Sequence, residues 1–394
     1  MYNTLWSIFI IFLKLGSNSF GGPIAQLDYF FNEFVEKRKW FEEKTYAELV
    51  ALCQFLPGPA SSKLAIAMGM KRQGLAGGVV ALTGFILPST IIFIIIAYLV
   101  HSTSNAQIIS SGLYGLQIAI IAIIGQALIK MIKRFCFDLP RIIIMLISAA
   151  INLINIGTFS QILSIITGII LGRFFIKQEQ AQTKLLPVKL QENYKLPLAI
   201  YLILLIVLPL LHSISPAPLL NLFNIFYLTG SMVFGGGHII LPILEHQLLP
   251  SGLIDKNTFL IGYGLAQAMP GPLFSFVAYV GTSINISDLS WVTGLGSLVA
   301  VYLPSFLLLL TILPLWERWR HQTGLQVAMQ GVNAAVTGML LATFYNPILH
   351  DLPHSLIDIA YAILIFLSLE YFKLPQWLAI IICLTTTIIK PMLS

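Results

Sequence analysis

The sequence predicts an all-α polytopic membrane protein, built as a duplicated, inverted-topology repeat whose broken, re-entrant helices meet near the midplane. Three observations predict it. Of 394 residues, 57% are hydrophobic and only 10% charged, with a mean hydropathy of +0.87, whereas a soluble domain carries roughly 25% charge. A series of Gly-Gly, Pro-Gly-Pro and Leu-Pro-Ser landmarks recurs in order about 214 residues later. Several apolar stretches are also cut by those motifs into pieces shorter than the roughly 20 residues a spanning helix needs.

The composition leaves no room for a soluble catalytic domain. Lys and Arg (22) exceed Asp and Glu (16) by 6, a balance that in an apolar chain reports loop orientation rather than nucleic-acid binding. Cys53, Cys136 and Cys383 have no metal-ligand spacing and read as free thiols. The apolar run Leu5 to Leu15 lacks a basic leader and a small-residue cleavage site, so it reads as part of the mature protein.

Residues 1–176 form the first repeat. Apolar runs at roughly 75–100, 112–134, 142–157 and 159–176 read as four crossings. The pieces on either side of Pro57-Gly58-Pro59, about 11 residues each, make roughly 17 Å of helix against about 30 Å of hydrocarbon. They read as two short helices meeting at a break, and the pair around Phe20-Gly21-Gly22-Pro23 reads likewise. Non-helical backbone at that depth is tolerated only where it is buried in protein or lines a polar cavity. Residues 177–195 are the one long hydrophilic stretch, a cytoplasmic linker, and 196–215 a connecting transmembrane helix; 216–394 are the second repeat.

The register of the duplication is close to constant. Gly16-Ser17-Asn18-Ser19-Phe20-Gly21-Gly22 returns as Gly230-Ser231-Met232-Val233-Phe234-Gly235-Gly236, and Gln54 to Pro59 returns as Gln267 to Pro272. Leu87-Pro88-Ser89 returns as Leu303-Pro304-Ser305, and Gly115 as Gly331. An even number of passes per repeat plus the connecting helix inverts the second copy. With a cytoplasmic N-terminus, 18 Lys and Arg fall on inner loops and 2, Lys256 and Lys390, outside, with Lys14 and Lys63 at membrane depth. The C-terminus is then expected outside.

Inverted repeats of discontinuous helices are the architecture of secondary transporters, with half-helix ends converging on a midplane site. A helix start leaves N–H groups free and carries about half a positive charge, which suits an anion. Around Pro57, Gly58 and Pro59, the hydroxyls of Ser61 and Ser62 and the ammonium of Lys63 add donors; Pro270, Gly271 and Pro272 keep the break without the lysine. The expected substrate-binding set is therefore Lys14, Gly21, Gly22, Pro57, Gly58, Pro59, Ser61, Ser62, Lys63, Gly235, Gly236, His238, Pro270 and Gly271, weighted toward the first copy. Plainer readings stand beside it: Pro-Gly-Pro as a kink, Gly-Gly as helix packing, Lys63 reaching the cytoplasmic surface, His238 as a structural hydrogen-bonded histidine. Asp28, Glu33 and Glu245 are candidates for carrying coupling protons, and Glu36 the expected partner of Lys37-Arg38-Lys39.

Phe20-Gly21-Gly22-Pro23, Cys53 to Ser62, Phe234-Gly235-Gly236-Gly237-His238 and Gln267 to Phe276 resemble the long, two-domain branch of the chromate ion transporter family, over nearly the whole chain. The resemblance implies a bacterial inner-membrane protein that exports chromate and confers chromate resistance, with sulfate as a look-alike anion. It places the family's motifs on Gly21, Gly22, Pro23, Pro57, Gly58, Pro59, Gly235 to Gly237 and Pro270 to Pro272, its basic position on Lys14 and a recurrent arginine on Arg72. One departure is Lys63, where the family usually has glutamine. The expected function is chromate export driven by the proton gradient or membrane potential, with sulfate or general oxyanion exchange as the alternative. It needs no cofactor, no metal, no catalytic residues and no nucleic acid; it needs the lipid bilayer and allows a homodimer. An intramembrane enzyme would require a nucleophile with its base or a metal cluster, and the seven histidines are scattered. An anchor or scaffold has no use for paired midplane breaks.

Overall fold

The computed structural model describes residues 4–19, 22–102, 106–154, 158–176, 194–215, 217–233, 240–284, 289–316, 323–345 and 356–393. Every regular element among them is helical, and the protein is an all-α membrane protein. Helix α1 (Leu5–Asn18) opens on Thr4, whose hydroxyl accepts the Ser7 N–H at 3.3 Å, and closes at Ser19. Helix α2 (Gly22–Phe31) continues into a π-helical turn, Asn32–Lys37, where the Arg38 N–H reaches back five residues to the Glu33 carbonyl at 3.0 Å. That wider turn stacks residues five apart. It sets the Glu33 carboxylate 2.5 Å from Arg38 Nε and 3.8 Å from Lys37 Nζ, so the ion pairs fall on Glu33, and Glu36 is exposed.

Helices α3 (Glu43–Phe55) and α4 (Ala60–Ser102) flank Pro57-Gly58-Pro59. Non-helical backbone at Gln73 and Gly74 divides α4 into 60–72 and 75–102. The remaining first-half helices are α5 (Ala106–Phe135), α6 (Leu139–Ile154) and α7 (Thr158–Phe175). At 16 residues α6 is about 24 Å long, short of the hydrocarbon thickness. Then come α8 (Lys195–Ile214), α9 (Pro218–Met232), α10 (Ile240–Leu248) and α11 (Lys256–Ala268), a 3-10 turn at Leu273–Ser275, α12 (Phe276–Ser283) and α13 (Ser290–Ile312). Helices α14 (Thr323–Thr343), α15 (Leu356–Glu370) and α16 (Gln376–Leu393) complete the chain. Among the described residues three helices are long and apolar enough to cross a membrane: Ala60–His101, Lys195–Ile214 and Ser290–Ile312. Exposed Leu196, Ile203, Ile206 and Leu210 give α8 the outward apolar surface that lipid requires.

The helices form two compact units, each drawing segments from both halves of the sequence. The first takes Met1–Tyr98, Gln180–Ile240 and Pro270–Leu325. Its core includes Phe12, Phe30, Phe34 and Phe85, with ring centroids 5.1 Å apart for Phe12–Phe34 and 5.0 Å for Phe30–Phe85. A Cβ on Gly16 would overlap the Phe85 carbonyl, and one on Gly230 the Val301 carbonyl, so these glycines let α1 meet α4 and α9 meet α13 backbone to backbone. In lipid, packing and polar contacts rather than apolar burial hold helices together, which is why small residues sit at crossings.

The second unit takes Leu99–Glu179, Leu241–Met269 and Gln326–Ser394. Here Gly168 and Gly172 of α7 abut Gly331 of α14, and Gly338 abuts the Met145 carbonyl of α6. Polar ties reinforce the same crossing: Ser148 Oγ donates to the Ala335 carbonyl at 2.6 Å, and Arg141, paired with Asp138, donates to Gln330 Oε1 at 2.5 Å. Around α5, Gly115 lies against Cys383 and Thr387 of α16, and Gln126 donates to the Leu369 carbonyl at 2.9 Å.

Candidate functional site

The two Pro-Gly-Pro breaks have the same backbone conformation. Gly58 and Gly271 both adopt φ +102°, a region closed to residues with a Cβ. The Gly58 N–H donates to the Val233 carbonyl at 2.6 Å, at the C-terminal end of α9, and the Gly271 N–H donates to the Ser19 carbonyl at 3.0 Å, at the end of α1. Ser19 and Val233 are themselves equivalent in the duplication. Each break thus supplies a donor to one of the carbonyls a helix end leaves unpaired. The surroundings repeat the reciprocity: Gly58 faces the Ser305 side chain and the Gly230 carbonyl, and Gly271 faces the Ser89 side chain and the Gly16 carbonyl.

These bonds take the Gly58 and Gly271 N–H groups out of any ligand-binding set. What remains at the first break is the first turn of 60–72. The Lys63 N–H closes on the Pro59 carbonyl at 2.9 Å, so the N–H groups of Ala60, Ser61 and Ser62 lie ahead of the first closed turn, where a helix has no intrahelical acceptor to offer them. Pro59, Ser61 and Ser62 are buried and Pro57 is half-buried.

Lys63 is completely buried, at 0% exposure. Its ammonium donates to the Leu56 carbonyl at the C-terminal cap of α3, so the side chain ties the short helix before the break to the one after it. A cation suits the negative end of a helix. One carbonyl satisfies one of three ammonium hydrogens, and among the described residues no carboxylate lies within ion-pair distance of it. A buried ammonium with no anion is costly.

The structure describes some of the other expected residues. Lys14 is exposed on α1, with Ser17 and Asn18 one turn further on and also exposed. Gly22 starts α2; Gly21, Gly235, Gly236 and His238 lie outside the described residues. Asp28 is exposed, and Glu33 is held by Arg38 and Lys37. Glu245 on α10 is 4% exposed, and its Oε2 has no hydrogen-bond partner among the described residues. Arg72 stacks on the Trp40 ring, 4.7 Å from its centroid.

A family model described as Chromate transporter matches residues 6–173 and again 220–388. The chain belongs to the chromate transporter family. The two matched segments begin 214 residues apart, the same spacing that separates the glycine motifs. Among similar proteins, the chromate transport protein of Cupriavidus metallidurans is 26% identical over 381 residues, 95% of this chain and 90% of that one. The chromate transport protein of Pseudomonas aeruginosa is 26% identical over 85% of this chain and 79% of its own length. An uncharacterized transporter of Methanocaldococcus jannaschii is 25% identical over 85% and 82%. No solved structure matches the chain.

In this chromate transporter family member, four residues at the breaks escaped the sequence reading. Gln26, fully buried on α2, donates its amide to the Gly271 carbonyl at 2.6 Å. Tyr302 and Ser305 sit three apart on α13, hence on one helix face, and Ser275 ends the 3-10 turn after the second break. The duplication offered a signal for two of them, since Ser275 is the counterpart of Ser62 and Ser305 that of Ser89. Tyr302 has no such signal: its counterpart is Ile86.

Proposed function

We propose that this protein is a secondary transporter that exports chromate across the bacterial cytoplasmic membrane and so confers chromate resistance, driven by the proton gradient or the membrane potential. The observation that carries the oxyanion site is Lys63, a buried ammonium with no carboxylate partner among the described residues, one turn into a helix whose first N–H groups lie beside the buried Ser61 and Ser62. A tetrahedral dianion is the ligand that complements that set, because it satisfies several converging donors at once and neutralises the buried charge.

The reciprocal bonds Gly58 to Val233 and Gly271 to Ser19 support reading the halves as two copies related by a two-fold. Isologous contacts, in which i meets j and j meets i, are the mark of such a relation. With the charge bias of the loops, we take the copies as inverted, the N-terminus as cytoplasmic and the C-terminus as outside. Alternating access then follows from one repeat rocking against the other. The relatives from Pseudomonas aeruginosa and Cupriavidus metallidurans are named as chromate transport proteins, which favours chromate as the cargo.

The test is uptake of labelled chromate into everted membrane vesicles containing the protein, with and without an imposed proton gradient and with excess sulfate. Gradient-dependent accumulation that resists sulfate is expected. Uptake fully displaced by sulfate would make the protein a general oxyanion carrier, and absence of any uptake would defeat the proposal.

A further inference from the structure

The two halves differ at the breaks in two positions, and both differences bear on the same helix start. Lys63 stands in the first copy where the second has Phe276. Tyr302 stands in the second copy where the first has Ile86, and its hydroxyl lies 3.5 Å from Ser62 Oγ of the first. Ser275 Oγ faces the same phenol from the second copy without reaching hydrogen-bond geometry. Equivalent serines of the two repeats therefore flank one tyrosine hydroxyl.

This cluster is buried and incompletely bonded. Ser62 and Ser275 are at 0% exposure and Tyr302 at 3%. The hydroxyls of Ser275 and Ser305 have no partner among the described residues, whereas Ser89, the counterpart of Ser305, donates to the Ile86 carbonyl at 3.0 Å. A buried hydroxyl without a partner costs on the order of 1–3 kcal/mol, and two of them beside a helix start whose first N–H groups have no intrahelical acceptor call for a bound acceptor. Tyr302 and Ser305 share the α13 face that looks onto Gly58 and Ser62. The ring of Tyr302 lies 6.4 Å from that of Phe274, which holds the phenol from the side.

We propose that the hydroxyls of Tyr302, Ser62 and Ser275 form a neutral part of the oxyanion site that complements Lys63, and that Tyr302 is a substrate-contacting residue that sets affinity. The inference rests on the oxyanion reading above and deepens it: the substrate class is a multiply charged oxyanion that accepts hydrogen bonds on several oxygens.

The test compares wild type, Tyr302→Phe and Ser275→Ala in everted vesicles, with protein amount measured by immunoblot and uptake of labelled chromate read as KM and maximal rate. Tyr302→Phe keeps the ring and removes one donor to a charged ligand, so KM is expected to rise roughly tenfold or more, with a smaller rise for Ser275→Ala. The maximal rate per amount of protein should stay near the wild-type value while KM rises, a split that a loss of packing would not produce. Unchanged KM in both variants while the wild type transports would overturn the hydroxyl assignment and leave the exporter reading intact. No transport by the wild type would instead remove the reading on which the assignment rests. If Tyr302→Phe fails to accumulate in the membrane, Ser275→Ala decides alone by the same KM criterion.

Discussion

The main-chain N–H of Gly58 donates to the carbonyl of Val233 at 2.6 Å across 175 residues of sequence. Its counterpart, Gly271 to Ser19 at 3.0 Å, repeats the same bond with the roles of the halves exchanged. The glycines are therefore cross-braces between helix ends.

Replacing either brace should be severe. Gly58→Ala and Gly271→Ala force a Cβ into φ +102° and against Ser305 or Ser89. The backbone strain alone costs about 1–3 kcal/mol. Detergent titration of the purified variants should show both destabilised and chromate resistance lost. Gly252→Ala is the comparison: its φ of +67° also strains a Cβ, by about 1–2 kcal/mol, but no atom lies within 4 Å, so it should keep resistance.

Lys63 separates binding from stability. A methionine of similar length fills the same buried space without its charge, and such exchanges in a protein interior are often neutral or stabilising. Lys63→Met is therefore expected to fold normally in detergent titration, while the chromate KM in vesicles rises by at least about tenfold. Wild-type transport in this variant would reduce Lys63 to its tie on the Leu56 carbonyl.

Of the three acidic candidates Asp28, Glu33 and Glu245, we propose Glu245 for the coupling proton, because it is buried with an oxygen that has no partner among the described residues, while Asp28 is exposed and Glu33 is ion-paired. Glu245→Gln should abolish gradient-driven accumulation yet retain chromate exchange across the membrane. Glu33→Gln should do neither and should cost at most about 1 kcal/mol, the range of half-exposed pairs. Gradient-driven accumulation at wild-type level in Glu245→Gln would exclude it.

Orientation is open to cysteine labelling because Cys53, Cys136 and Cys383 are all buried and give little background. A cysteine placed within 177–195 should react with an impermeant maleimide only in everted vesicles. One placed at Ser394 should react only in intact cells. The reverse pattern, or both sites labelled from one side, would contradict the inverted reading.

Much of the architecture was legible because it is written in local composition and spacing. Mean hydropathy announces a bilayer as solvent, and the breaks at Pro57 to Pro59 and Pro270 to Pro272 are read from residues whose backbone cannot continue a helix. The offset near 214 pairs Gly58 with Gly271 and Ser62 with Ser275 before any coordinate is known. The proposed site residues Ser61, Ser62 and Lys63 stand out for the same reason, lying within one turn of a recognisable break.

Only the tertiary structure decided which of those donors are free. The Gly58 and Gly271 N–H groups turn out to be occupied, and the Lys63 ammonium is aimed at the Leu56 carbonyl. The π turn after α2 gave Arg38 to Glu33 instead of Glu36, a shift of register invisible to a periodicity of 3.6. Tyr302 could not be found from the repeat, since it is a departure from it. The physical reason is common to all four: a hydrogen bond is settled by which groups meet within about 3 Å, and here the partners come from a changed helical register, from across the Pro57 to Pro59 break, or from chain segments far apart in sequence.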